Sequence, residues 1–263
     1  MTFKKFLILP LLLLIIFYSQ AYPQRTKSSQ YAGSQRHAQR SLKDSRYFFH
    51  FIDPSISNKG TDEEKSIYIE AIRRDIISRT LYLKFSFNSS LIEIKKTQNL
   101  LIDLFKKVIE RDRKEALSML NEIAPEILDS GDAAAKKYIS LGYRCAKWAE
   151  KVSMMSDNLP PTNYSIRIYE YVKAIKNAKY ARRYAIIALI EKRLPPEKKR
   201  RTNYNRYKIV EELINTYLTD KKDFYLKIHM DNFYKKESSI YDNIISNPEL
   251  EKIPEYLDYK KDN

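Results

Sequence analysis

Residues 132–193 read DAAAKKYISLGYRCAKWAEKVSMMSDNLPPTNYSIRIYEYVKAIKNAKYARRYAIIALIEKR, and their patterning decides the fold. Tyr138, Leu141, Cys145, Trp148, Ala149 and Val152 recur in the i, i+3, i+4, i+7 order and predict one core-facing helical stripe. Gly142 in mid-helix costs about 1 kcal/mol against alanine, so it marks a place where a neighbouring helix comes close. Asn158-Leu159-Pro160-Pro161 closes that element. Thr162 opens a longer helix to about Arg193, stopped by Pro195-Pro196. At 1.5 Å per residue it would extend roughly 45 Å.

The same texture continues on both sides. Thr61 with Glu64 is a capping-box pattern, and Ile67, Ile69, Ala71, Ile72, Ile76, Ile77 and Leu81 follow near the helical repeat. The stretch from Leu81 to Phe87 reads as helix end or strand. Ser90 with Glu93 suggests a second box, opening a helix through Val108. A third is expected from Arg113 to Leu128, kinked or broken at Pro125. Residues 203–246 hold two or three shorter helices, and 247–263 a frayed, charged tail. Upstream, 22–60 reads as a flexible basic leader. Its aromatic segment Tyr47–Phe51 suggests a packing element or partner anchor, and Pro54 and Gly60 bracket a loop. Only four glycines occur in 263 residues, too few for hairpin-rich sheets or nucleotide-cradling loops. The expectation is an all-α, elongated helical bundle of about six to eight helices over 61–246, with two sub-bundles joined near Pro125 or Pro160 as one arrangement. A tetratricopeptide array finds Tyr138, Leu141 and Gly142 at first-helix spacing, but no period of about 34 recurs.

The N-terminus sets the compartment. Lys4 and Lys5 precede an apolar run from Phe6 to Tyr18 and a Ser19-Gln20-Ala21 step, the layout of a secretory signal peptide over residues 1–21. The run is short for a membrane span, which needs about 20 residues; an uncleaved anchor is the rival reading. Cleavage would leave a chain beginning at Tyr22, exported to the periplasm or secreted, with no stable membrane span.

Reaction chemistry is sparse. His37, His50 and His229 lie in different segments without metal-ligand spacing. No HExxH, GxSxG or GxxxxGK[ST] pattern occurs. Cys145, the single cysteine, reads as a small buried residue on a helix face. No cofactor, metal or catalytic residue is expected, and the chain reads as a non-enzyme. Paired carboxylates assembled only by folding would be the exception.

Charge points to a binding role. The net charge is +15, which favours acidic partners. From Arg167 to Lys208 there are fourteen Lys or Arg against three Glu. Lys173, Lys176, Lys179 and Arg183 lie three or four apart along one side of the long helix, and Lys198, Lys199, Arg200 and Arg201 follow in the next loop. With Arg167 these form a candidate docking surface; the plainer reading is a solvated face. Tyr164, Tyr169, Tyr171, Tyr180, Tyr184, Tyr204 and Tyr207 crowd the same region, and Tyr and Arg are side chains that interfaces favour. Tyr171 and Tyr184 lie away from the stripe and read as core. Nucleic acid is not expected, because export removes it and no binding motif is present.

The runs AAAKKYISLGYR and AEKVSMMSDNLPPTNYSIRIYEYVKAIKNAKYARRYAIIALIE, within 133–193, resemble the exported helical flagellar-coiling proteins that coat spirochaete periplasmic flagella. The likeness covers about a quarter of the chain. It implies a non-enzymatic sheath component bound to flagellar filament proteins and supporting motility. The alternative from the residues alone is an exported module for an anionic polymer, lipid or acidic protein.

Overall fold

The computed structural model describes residues 27–199 and 202–247. The expected signal segment, Arg200, Arg201 and the tail from 248 lie outside the described residues. Nine α-helices and no strand occur among them, which makes the protein an all-α bundle. In chain order they are α1 (Lys27–Lys59), α2 (Asp62–Leu83), α3 (Phe87–Asp129), α4 (Ala133–Asp157), α5 (Tyr164–Arg193), α6 (Pro196–Lys199), α7 (Tyr207–Tyr217), α8 (Lys222–Asn232) and α9 (Ile240–Ser246), with a 3-10 turn at Thr219–Lys221 before α8.

Local signals account for several boundaries. Thr61 caps α2 with a complete box: the Glu64 amide donates to Thr61 Oγ1 at 3.2 Å, and the Thr61 amide to Glu64 Oε2 at 2.9 Å. Asp132 caps α4 by accepting from the Ala134 and Ala135 amides, each at 3.0 Å. The box expected at Ser90 does not form. The helix has already begun at Phe87, and Ser90 instead donates to the Ser78 carbonyl at 2.8 Å.

Two expectations are corrected and one open choice is resolved. The leader over 22–60 is, from Lys27 onward, the 33-residue helix α1. Its buried stripe is Ala38, Ser41, Ser45, Phe48, Phe49, Ile52 and Ile56; serines at two core positions hid the helical period. The two helices expected on either side of residue 110 are one, because α3 runs 43 residues with Pro125 inside its last turns. That is roughly 65 Å of helix. Of the two readings for Leu81 to Phe87, the helix end holds: α2 closes at Leu83, residues 84–86 make the turn and Phe87 opens α3.

Paired contacts give the directions. Arg74 and Lys107 reach Glu93 and Glu63, so α2 and α3 are antiparallel. Tyr143 with Asn121 and Arg113 with Glu150 set α4 antiparallel to α3. Gln98 donates to Ser165 and Lys192 pairs with Glu126, so α5 runs parallel to α3. The buried face of α4 is Ala135, Ile139, Gly142, Ala146, Ala149, Val152 and Ser156. It is a seam of small residues, rotated from the expected stripe so that Trp148 is half exposed. A Cβ on Gly142 would stand 2.6 Å from Leu120 Cδ2 and 3.5 Å from the Ala181 carbonyl oxygen. Here α3, α4 and α5 approach closely, as the mid-helix glycine suggested.

The apolar core falls into two main clusters. One gathers Phe48, Phe49, Tyr68, Leu101, Phe105, Val108, Tyr171 and Ile175 from α1, α2, α3 and α5. The other gathers Met119, Leu120, Ile123, Ile139, Ile186, Ile190, Ile214 and Ile228 from α3, α4, α5, α7 and α8. Helices α3 and α5 pass through both without a break, so neither Pro125 nor Pro160 divides them. The boundary is a belt of charge.

Candidate interaction surface

Between the clusters, α3 and α5 each contribute buried charges. Arg182 is fully buried; its Nη1 lies 3.1 Å from Asp112 Oδ1 and 2.7 Å from Glu115 Oε2, and its Nη2 lies 2.5 Å from Asp231 Oδ2. Lys179 is 2 % exposed and donates to the Asp231 carbonyl at 2.8 Å and to Oδ1 at 2.9 Å. Ser55 of α1 donates to the same Oδ1 at 3.0 Å. Lys59 reaches Glu115 from the end of α1, and Arg111 reaches Glu64 at the start of α2. Burial alone would push the Asp231 carboxyl up, but Lys179 and Arg182 outweigh it and hold it far below the usual range. Burial lowers the Lys179 ammonium despite Asp231. The belt ties α8 to α5 and α1 through fully desolvated charges.

This disposes of one expected surface residue. Lys179 is not on the docking face; it points inward, with Nζ 4.2 Å from the Tyr234 ring centroid. Arg183 is held as well, donating to the Tyr204 carbonyl at 2.6 Å and Asn205 Oδ1 at 2.9 Å while packing 4.8 Å from the Phe233 ring. Lys198 approaches the Tyr217 hydroxyl at 3.4 Å, and Lys199 pairs with the capping Asp132. Arg167 is half-buried beside the Tyr171 hydroxyl. Lys173 and Lys176 alone of the expected stripe are exposed on α5. Lys173 pairs with Glu170 at 2.6 Å, and Lys176 stands 5.8 Å from the Phe51 ring. The expected cationic flank therefore splits, and its deeper members hold the fold together.

A different arrangement occupies that flank. Tyr169, Lys173, Lys176 and Tyr180 are exposed at i, i+4, i+7 and i+11 and form one stripe along α5. Tyr47 of α1 stacks on Tyr169 with centroids 5.6 Å apart. Beyond α8, Tyr234 lies 5.4 Å from the Phe51 ring. These four tyrosines are between 38 % and 48 % exposed, so each rests one face on the bundle and offers the other to solvent. Tyr169 donates to Asp44 Oδ1 at 3.0 Å; partial burial and that bond push its phenol up to about 12. Burial, with Tyr180 nearby, also raises Tyr234. Both phenols therefore stay protonated donors at neutral pH. Tyr169 and Tyr180 were within reach of sequence reasoning, and Tyr47 lay in the aromatic anchor. Tyr234 had no signal, because a helix end far along the chain brings it to this face.

Among the described residues, no group of three or more His, Cys, Asp or Glu could hold a metal ion, and no helix is long and apolar enough to cross a membrane. The fold defines an all-helical bundle protein with an exposed tyrosine and lysine flank. The chain belongs to the OmpL37 family: the family model described as "Surface protein adhesin OmpL37" matches residues 32–258. Nothing matches among curated proteins or among solved structures. Membership makes this an exported surface protein with an interaction role, and it does not extend to the flagellar coat that residues 133–193 suggested.

Proposed function

We propose that the protein is a non-enzymatic surface adhesin that holds an anionic macromolecular partner against its tyrosine–lysine flank. The exposed stripe Tyr169–Lys173–Lys176–Tyr180, extended by Tyr47 and Tyr234, carries the reading. Tyr supplies large, rigid contact area and a hydroxyl at low entropy cost. The lysines supply attraction that salt will screen. The charge belt beneath keeps the stripe preorganised, which lowers the ordering cost of binding. The family's description as an adhesin supports the same role.

Binding to an immobilised sulfated polysaccharide, with heparin as probe, tests it. Tyr169→Ala with Tyr180→Ala is expected to weaken capture roughly tenfold or more. Lys173→Glu with Lys176→Glu should flatten the salt dependence. Capture unchanged in both double variants rules out the flank. The narrower role of flagellar coat rests on the resemblance of 133–193; co-sedimentation with purified periplasmic filaments, lost in the same variants, is its test.

A further inference from the structure

We infer that the α2–α3 end of the bundle is a docking tip for an anionic lipid surface, with Leu83 and Phe85 entering the interface. This stands independently of the adhesive flank, because it uses other residues at another place.

The turn that ends α2 is a Schellman cap. The Phe85 amide donates to the Tyr82 carbonyl at 3.0 Å and the Ser86 amide to the Leu81 carbonyl at 2.9 Å. Phe85 therefore occupies the left-handed position, φ 62°, that helices usually give to glycine. A bulky residue there is strained, and its side chain meets Phe87 edge-on at 6.1 Å but is otherwise largely open to solvent. Phe85 and Leu83 are each 74 % exposed, the most exposed large apolar residues among the described residues. Ile92, one turn into α3, is 54 % exposed.

Charge selects the occupant. Between Asp75 and Glu93 the charged residues are Arg79 and Lys84 alone, and Lys84 stands exposed between the two projecting side chains. Gln98 touches both Ser45 and Ser165, so the early turns of α1, parallel to α3, lie toward this end. They bring exposed Arg36, Arg40 and Lys43. Arg40 and Lys95 line a cavity of about 290 Å³ together with Leu91, Ile166 and Asp44, whose carboxylate accepts from Tyr169, roughly 12 Å along α3 from the turn. Exposed apolar side chains with exposed cations on the same end of the bundle match the lipid interface. There aromatic and aliphatic tips enter the acyl boundary and Lys or Arg meet the headgroups.

The experiment is vesicle co-sedimentation of the chain from Tyr22 onward, which holds every described helix. Vesicles of phosphatidylcholine are compared with phosphatidylcholine doped with phosphatidylglycerol. The parent should partition onto the doped vesicles, and Lys84→Glu should weaken this roughly fivefold. Phe85→Gly with Leu83→Ser should weaken it roughly tenfold or more. Phe85→Gly relieves the left-handed backbone, and a parent-like circular dichroism spectrum with a thermal midpoint no lower than the parent's separates lost binding from lost fold. Three results overturn the proposal: a parent that ignores both vesicles, a Phe85→Gly protein that binds as the parent does, or a parent dimer in sedimentation velocity that Phe85→Gly abolishes. The last would assign the tip to a second copy of this chain.

Discussion

Helices α2 and α8 end in the same way, and their surroundings could hardly differ more. Each closes with a Schellman cap: the Tyr234 amide donates to Asp231 and the Lys235 amide to Met230, each at 3.0 Å, as Phe85 and Ser86 do to Tyr82 and Leu81. Each puts an aromatic residue in the left-handed position, φ 56° at Tyr234 and 62° at Phe85. At the end of α3 the equivalent residue is Gly131, φ 72°, with open space where a Cβ would go. Tyr234 is compensated from within, by Lys179 beneath its ring and Phe51 beside it. Phe85 has Phe87 at 6.1 Å edge-on and otherwise faces solvent. Strain held by tertiary contacts is structural; strain that displays a side chain to solvent points to a use outside the molecule.

The largest expected effect lies under the compensated cap. Arg182→Met preserves volume but leaves Asp112 and Asp231 as buried carboxylates short of a partner, which should cost about 3–5 kcal/mol in urea unfolding. Hydrogen exchange should quicken over 222–235 more than over 76–90. Equal loosening at both caps would mean that the belt supports the whole bundle and not the Tyr234 side in particular.

Next in size is a pH effect on the other side. Asp75 lies fully buried in α2, two to three turns before the Phe85 cap. Burial pushes its carboxyl up to about 6 even though Arg79 lies 2.6 Å away. Its unfolded value is near 4, so between about pH 4 and 6 the folded chain binds more protons than the unfolded one. Stability from this group is therefore greatest below about pH 4 and is lost as pH rises through 6. Asp75→Asn should gain about 2 kcal/mol at pH 7.5 and almost nothing at pH 4, read by urea unfolding at both. A gain independent of pH would show that the carboxyl is not the source.

Much of the architecture was legible, and the omissions have common causes. Periodic Ile and Leu, the Thr61–Glu64 box and Gly142 betray their helices because apolar side chains and caps act locally. Helix α1 escaped because Ser41 and Ser45 fill core positions where the bundle needs small side chains, and a polar letter masks a buried site. On α4 the expected stripe shares Ala149 and Val152 with the buried face, but the larger Tyr138, Leu141, Cys145 and Trp148 stand where the seam uses Ile139, Gly142 and Ala146, one position on. Lys179 looked like surface because its neighbours at 173 and 176 are. Only the arrival of Asp231, 52 residues later, converts it into a buried partner. Long-range pairing of this kind leaves no local trace.

The smallest effects divide the two caps most cleanly. Replacing either aromatic with glycine removes the left-handed penalty, worth about 1 kcal/mol, and also whatever the side chain contributes. At Tyr234 that contribution includes a buried cation over the ring, about 2 kcal/mol when desolvated, together with the packing on Phe51. Tyr234→Gly should therefore lower stability by about 1–2 kcal/mol. At Phe85 little packing is lost, so Phe85→Gly should raise stability by up to about 1 kcal/mol. Thermal unfolding of the two variants beside the parent gives shifts of opposite sign if the cap at α2 is strained for a purpose outside the fold. Two shifts in the same downward direction would place Phe85 among the side chains the fold itself needs, and the contrast between the caps would disappear.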